Sequence, residues 1–283
     1  MSLSKPLDTA STQTPTPHPT TRSGARRILL WDLPLRVFHW SLLAAVTTAI
    51  VSGKIGGDLM GIHAKAGLAI VGLVAFRLVW GLVGSTHSRF SHFLPTPARI
   101  LAYVQGRWQG VGHNPLGALS VFGLLGVLAV QAGMGLFTND DIAFLGPLAS
   151  LVSESWQQKL TGYHHQLANL LFVLIGLHVL AIVFYARAKK DNLVKPMVTG
   201  WKETPLGEST RGGGPVVFGV SVALAALAVC AANGVFLSPD TPAAKDPAPD
   251  TSVTAKTADA ADAAEPASAA ASAGASQTTA PAW

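Results

Sequence analysis

Apolar residues gather in five runs along the chain, near residues 37–53, 62–84, 116–137, 165–187 and 215–237. Each is long enough, or nearly so, to cross a hydrocarbon core of ~30 Å as a helix. The first run is short, and the second carries Lys65 near one end and Arg77 within two turns of the other. Both can be tolerated, because long cationic side chains reach back toward the interface. Between the third and fourth runs, residues 138–164 make an unusually long connection, TNDDIAFLGPLASLVSESWQQKLTGYHH from Thr138 onward. Gly146-Pro147 predicts a turn there, followed by a short interfacial helix that covers the edge of a site or shapes a partner surface.

The ends read differently. Residues 1–27 are polar and rich in Thr, Ser and Pro, and residues 238–283 are dominated by Ala, Pro, Ser, Thr and Asp. Neither buries enough apolar surface to offset ordering entropy, so both are expected to be disordered. The resulting division is a tail over 1–27, a four-helix domain over 28–202, a linker with a fifth helix over 203–237, and a tail over 238–283. The fifth run holds no ionisable residue and is expected to be a peripheral anchor.

Composition supports a membrane setting. The 283 residues are 49% hydrophobic and 12% charged, against roughly 25% charged in soluble domains. No apolar stretch precedes Ile28, so no cleavable signal is expected and the first run acts as a retained anchor. Arg22, Arg26, Arg27 and Arg36 precede or open the first run, Arg89, Arg99 and Arg107 lie between the second and third, and Arg187, Lys189, Lys190, Lys195, Lys202 and Arg211 lie between the fourth and fifth. The opposite connections mix Lys54 and Lys159 with Asp58, Asp140, Asp141 and Glu154. By the positive-inside rule the N-terminus is cytoplasmic, and five crossings put the C-terminal tail outside, in the periplasm if the bacterial cell has an outer membrane. The basic balance follows from these loops, and no nucleic-acid partner is expected. The single cysteine, Cys230, excludes intrachain disulfides and cysteine-ligated clusters, and no CxxCH is present for covalent haem attachment.

Histidine is costly inside a bilayer and marks a functional site by default. His39, His63, His164 and His178 lie at the ends or within the runs. His164 and His178 are fourteen residues apart on one run, which returns to nearly the same helix face about 21 Å further along. With the topology set by charge, His63 and His164 share the outer level and His39 and His178 the inner one. Spacing selects His164 over its neighbour His165, which points elsewhere. A lone helical histidine is often only a hydrogen-bonded polar residue, so the matched depths carry the weight. His18, His87, His92 and His113 lie in tails or loops, where solvation is expected.

Two histidines per site from different helices suit the two axial positions of haem iron better than zinc or copper, which gather more ligands at one place. With both positions filled, electron transfer is favoured over substrate chemistry. Gly67, Gly72, Gly133, Gly135 and Gly176 would let a flat macrocycle approach backbone, although glycine also serves helix packing. Arg36 and Arg77 on the inner side and Lys65 on the outer are candidate partners of haem propionates; the two arginines equally suit plain topology anchors. A cofactor-free proton relay is the rival reading, but it needs no matched depths.

The motifs WDLPLRVFHW at 31–40, HAKAGLAIVGLVAFRLVWGLVGS at 63–85, GHNPLGALS at 112–120, HHQLANLLFVLIGLHV at 164–179 and NLVKPMVTG at 192–200 resemble the bacterial cytochrome b561 family. That family includes the b-type cytochrome subunits of nickel–iron hydrogenases. The resemblance covers roughly residues 28–202. It implies an all-α integral membrane protein whose four-helix bundle holds two non-covalent haem b groups, with axial roles for His39, His63, His164 and His178. It implies electron transfer between quinone and a redox partner on one face of the inner membrane. The alternative it allows is the membrane anchor of a hydrogenase or reductase complex. The family often carries a carboxylate after the first histidine of its fourth helix, where this chain has His165.

Overall fold

The chain enters its bundle through a short strand, β1 (Arg26–Leu29), and turns at Asp32 into the first long helix, α1 (Leu33–Ile55). Asp32 is in extended backbone, and its Oδ1 accepts the Leu35 N–H at 2.8 Å. That bond caps a helix whose second residue, Pro34, lacks a donor in any case. The other carboxylate oxygen accepts from Trp80 Nε1 at 3.0 Å and from Ser88 Oγ at 3.2 Å. One side chain thus ties the start of α1 to the far end of α2 (Met60–Val83).

Past α2, the short helices α3 (Phe90–Phe93) and α4 (Pro97–Val104) run along one end of the bundle. The third spanning helix, α5 (Pro115–Gly135), is capped by Asn114, whose Oδ1 accepts the Gly117 N–H at 2.7 Å. The fourth, α6 (Glu154–Arg187), has 34 residues. At ~1.5 Å per residue it is about 50 Å long and outreaches the bilayer core. Then come α7 (Val194–Thr199), β2 (Trp201–Thr204) and the last helix, α8 (Pro215–Ala232). Among the described residues, five helices are long and apolar enough to span a membrane, in agreement with the five runs.

This architecture belongs to a computed structural model that describes residues 26–142, 144–205 and 207–237. The disorder expected for the two tails therefore falls outside the described residues, except at Arg26 and Arg27. Those two belong to β1, which pairs antiparallel with β2 from Arg26 opposite Thr204 to Leu29 opposite Trp201. The boundaries expected at residues 28 and 202 thus cut through a small sheet that closes the helical domain on itself.

Helix α1 packs on α2, α2 on α5, and α5 on α6. The core between them is built by Leu35, Phe38, Val46, Ile70, Val74, Leu125, Leu128 and Leu171. Helix α8 packs along α2. A Cβ added at Gly72 would lie 2.7 Å from Val229 Cγ2, so this glycine serves close helix contact. Phe218 of α8 makes edge contacts with Phe76 and Trp80. The fifth helix is peripheral to the seam lined by the histidines, yet it is packed closely on the bundle.

The connection from α5 to α6 differs from the expected long loop. Its polar residues Glu154, Gln157, Gln158 and Lys159 already belong to α6, because the helix continues beyond the depth at which apolar side chains are needed. Only residues 136–153 connect, with one 3₁₀ turn at Ala149–Leu151.

Candidate cofactor sites

A cavity of ≈ 220 Å³ opens among α1, α2, α5 and α6, lined by both His63 and His164. Their rings stand nearly perpendicular with centres 6.1 Å apart. His63 Nδ1 lies 2.8 Å from the carbonyl oxygen of Ala49 on α1, and His164 Nδ1 lies 3.0 Å from that of Gln131 on α5. A carbonyl accepts only, so in each pair Nδ1 is the donor, and Nε2 is the nitrogen left to face a ligand. Orientation of one ring nitrogen by a backbone carbonyl is how a ligating histidine is commonly fixed.

Glycines make room for these rings. A Cβ at Gly53 would fall 2.7 Å from His63 Nδ1, and one at Gly135 would fall 3.2 Å from His164 Cε1. Gly67 also lines the cavity, and nothing lies within 4 Å of where its Cβ would be. Of the glycines expected to admit a macrocycle, Gly67 keeps open space beside the histidines, whereas Gly72 is used by α8.

The 138–147 segment contributes Thr138, Asn139, Asp140, Phe144 and Pro147 to the cavity wall, so the connection covers one edge of the site as expected. Lys65 is exposed and is absent from the wall. Lys54 lines it instead, its Nζ 5.4 Å from the centre of the Phe172 ring. His165 is exposed, and its ring lies 6.3 Å from that of His164.

The second pair sits toward the β1–β2 end. His39 and His178 are within electrostatic reach of each other, and Ser120 Oγ lies 3.3 Å from His178 Nδ1. Arg77 is 2% exposed; its guanidinium lies 4.5 Å from the Phe90 ring centre, and its buried NH1 has no hydrogen-bond partner among the described residues. A buried guanidinium with an unused donor suits an anionic ligand group. Arg36 also keeps a buried Nε without a partner among the described residues, but its NH1 is engaged. It donates through NH1 to the Val198 carbonyl while Trp40 Nε1 donates to that of Met197 at 3.2 Å, so both fasten α7 to α1.

One loop histidine departs from expectation. His113 is partly buried between Trp31 and Phe93, with ring centres at 4.6 and 4.5 Å, and its buried Nδ1 has no partner among the described residues. Burial, and secondarily the Arg77 charge, push its pKa down to about 3. The ring is therefore neutral at physiological pH. Sequence reasoning missed it because its neighbours, Gly112 and Asn114, read as an ordinary loop; the aromatics that enclose it come from distant segments.

The helical membrane bundle, in which His63 and His164 face one another between helices, is that of a membrane b-type cytochrome, a class that carries electrons through haem b, and the sequence comparisons agree. The family model described as prokaryotic cytochrome b561 matches residues 30–200, and the chain belongs to that family. It is a multi-pass bacterial membrane protein. Curated relatives include the "Probable Ni/Fe-hydrogenase B-type cytochrome subunit" of Azotobacter vinelandii, 24% identical over 248 residues that cover 71% of this chain and 97% of that protein. The protein of the same description from Bradyrhizobium diazoefficiens is 22% identical over 228 residues, covering 64% of this chain and 87% of its own length. That of Azotobacter chroococcum mcd 1 is 24% identical over 241 residues, covering 71% and 97% respectively. No solved structure gives a significant match.

Proposed function

We propose that the chain holds two haem b groups, one between His63 and His164 and one between His39 and His178, and relays electrons across the membrane between quinone and a redox partner. The supporting observation is the His63–His164 pair. The two ring centres stand 6.1 Å apart in a cavity that both histidines line, so both rings would reach a haem iron held between them. Each ring has its Nδ1 engaged by a carbonyl of a neighbouring helix, which leaves Nε2 for the iron.

The bound haem supplies one-electron redox chemistry. The chain's own residues do the rest. His63 and His164 would hold one haem iron, and His39 and His178 another. Leu128, Leu171, Ala168 and Phe172 keep the outer pair in an apolar setting. Arg77, whose buried NH1 has no partner among the described residues, would pair with a propionate of the inner group, and Lys54, which lines the outer cavity, with one of the outer group. Arg36 acts mainly by holding α7 on α1 beside the inner pair. Basic residues concentrate at the end bearing β1, β2 and α4, so we assign that end to the cytoplasm and the His63–His164 end to the outer face.

A second reading is favoured by the relatives described as hydrogenase cytochrome subunits. On it, the electron donor is a metal-bearing catalytic subunit for which this chain is the membrane anchor. Co-purification of such a subunit with the tagged full-length protein from its native membrane would support it.

The transmembrane relay is tested in proteoliposomes that contain ferricyanide and receive a quinol from outside. The expected result is reduction of the trapped ferricyanide at a rate proportional to haem-loaded protein. Haem that is reduced by quinol while the trapped acceptor stays oxidised would contradict a relay between the two faces.

A further inference from the structure

We infer that Ser120 of α5 is the positioning residue of His178, its hydroxyl fixing the ring through Nδ1 and thereby lowering the reduction potential of the inner haem. The inference rests on the two-haem reading above and names the side chain that governs one of its two sites. Of the four bundle helices, α5 alone carries no histidine. It nevertheless supplies the hydrogen-bond partner of both histidines of α6. The Gln131 carbonyl takes Nδ1 of His164 at 3.0 Å, and Ser120 Oγ lies 3.3 Å from Nδ1 of His178. Ser120 and Gln131 are eleven residues apart, which returns to within ~20° of the same helix face about 16 Å further along. One face of α5 therefore orients the α6 rings at both levels.

The Ser120 hydroxyl is committed to this ring. Serine and threonine within helices commonly donate to the carbonyl one turn back. Ser52 in α1, Thr161 in α6 and Ser221 in α8 do so, at 2.6, 2.8 and 2.8 Å. Among the described residues, the hydrogen bond of the Ser120 side chain is instead the one to His178. At the outer level the corresponding acceptor is main chain, and Gln131 Nε2 adds a second bond there, donating to the His164 carbonyl at 3.0 Å.

The chemical consequence follows from which nitrogen is engaged. With Nε2 of His178 toward the iron, Nδ1 keeps its proton and donates to Ser120 Oγ. Donation from the far nitrogen makes the ligating one more basic, which favours the oxidised iron and lowers the potential. Any residue type at 131 supplies the carbonyl that serves His164, whereas the partner of His178 depends on the side chain at 120. A change at that one position therefore shifts the inner site and leaves the outer one alone, altering the driving force between the two.

The test is a redox titration of the full-length, haem-loaded protein, followed by absorbance and low-temperature electron paramagnetic resonance. The inner component is the one that His178→Ala deletes. In Ser120→Ala, at the wild-type inner midpoint, the ratio of reduced to oxidised inner haem should rise about fivefold, the worth of about one hydrogen bond. That is an upward shift of about 40 mV at 59 mV per tenfold for a one-electron couple. The inner resonance should also move or broaden as the ring turns, with the outer component unchanged. Ser120→Thr keeps the hydroxyl and should keep the wild-type potential. Ser120→Cys, with a sulfur that accepts only weakly, should shift upward as alanine does, and it carries the test if the alanine variant loses haem. An inner potential unchanged or lowered in the alanine and cysteine variants, or a threonine variant shifted as far as alanine, would overturn the inference and leave two haems in place. A His178→Ala protein that loses neither component would overturn the two-haem reading itself.

Discussion

The imidazoles of His63 on α2 and His164 on α6 face one another with ring centres 6.1 Å apart and both Nδ1 atoms bonded to main-chain carbonyls. The carbonyls come from Ala49 and Gln131, so all four helices of the bundle fix this one pair. Replacing either histidine by alanine is expected to remove one haem of two and leave the other reducible. Pyridine haemochrome analysis against protein concentration reads this directly, and loss of both haems from a folded variant would break the pairing.

Room for the His63 ring depends on Gly53, whose added Cβ would lie 2.7 Å from Nδ1. Gly53→Val should therefore expel the ring from its position and lose the outer haem with both ligands still present. The variant should match His63→Ala in haem content, and a fully loaded Gly53→Val protein would show that the ring position is not what binds haem.

How much of this was readable from sequence depends on which residues carry it. The five spanning helices were legible because bilayer length leaves a direct mark in apolar runs. Charge counts and helical rise grouped His63 with His164 and His39 with His178, and the first two rings lie 6.1 Å apart. The facing of His63 and His164 was not legible in detail, since it depends on carbonyls at Ala49 and Gln131 that any residue type would supply. That Lys54 of α1 lines the outer cavity and Lys65 of α2 does not was not legible, because one-dimensional depth does not say which side of a helix faces the seam. The Arg26–Thr204 pairing and the burial of His113 were hidden for a related reason: both join segments far apart in the chain, without local periodicity.

The α2–α8 contact predicts a specific rescue. Gly72→Ala places a methyl group against Val229, and overpacking of this kind typically costs about 1–3 kcal/mol. Val229→Ala in the same chain should recover most of that loss. Thermal unfolding of the four members of the cycle in one detergent measures the coupling. Strict additivity would mean that α8 does not depend on this contact.

His113 should make the protein acid-labile. Its folded pKa, pushed down to about 3 by burial, lies below the unfolded value near 6.5. Between the two, the unfolded chain binds a proton that the folded chain does not, so stability falls as pH drops through that window. His113→Phe keeps the stack with Trp31 and Phe93 and removes the titration. The loss of unfolding temperature between pH 7 and pH 4 should therefore be smaller in the variant than in the wild type; equal losses would contradict the assignment.

The most direct measurement is a redox titration of the purified full-length protein, followed by absorbance and by low-temperature electron paramagnetic resonance. Two low-spin components, each a one-electron couple and each present at one per chain, are predicted. His63→Ala should delete one component and His178→Ala the other. A single component, or a high-spin signal in the wild-type protein, would contradict two bis-histidine sites.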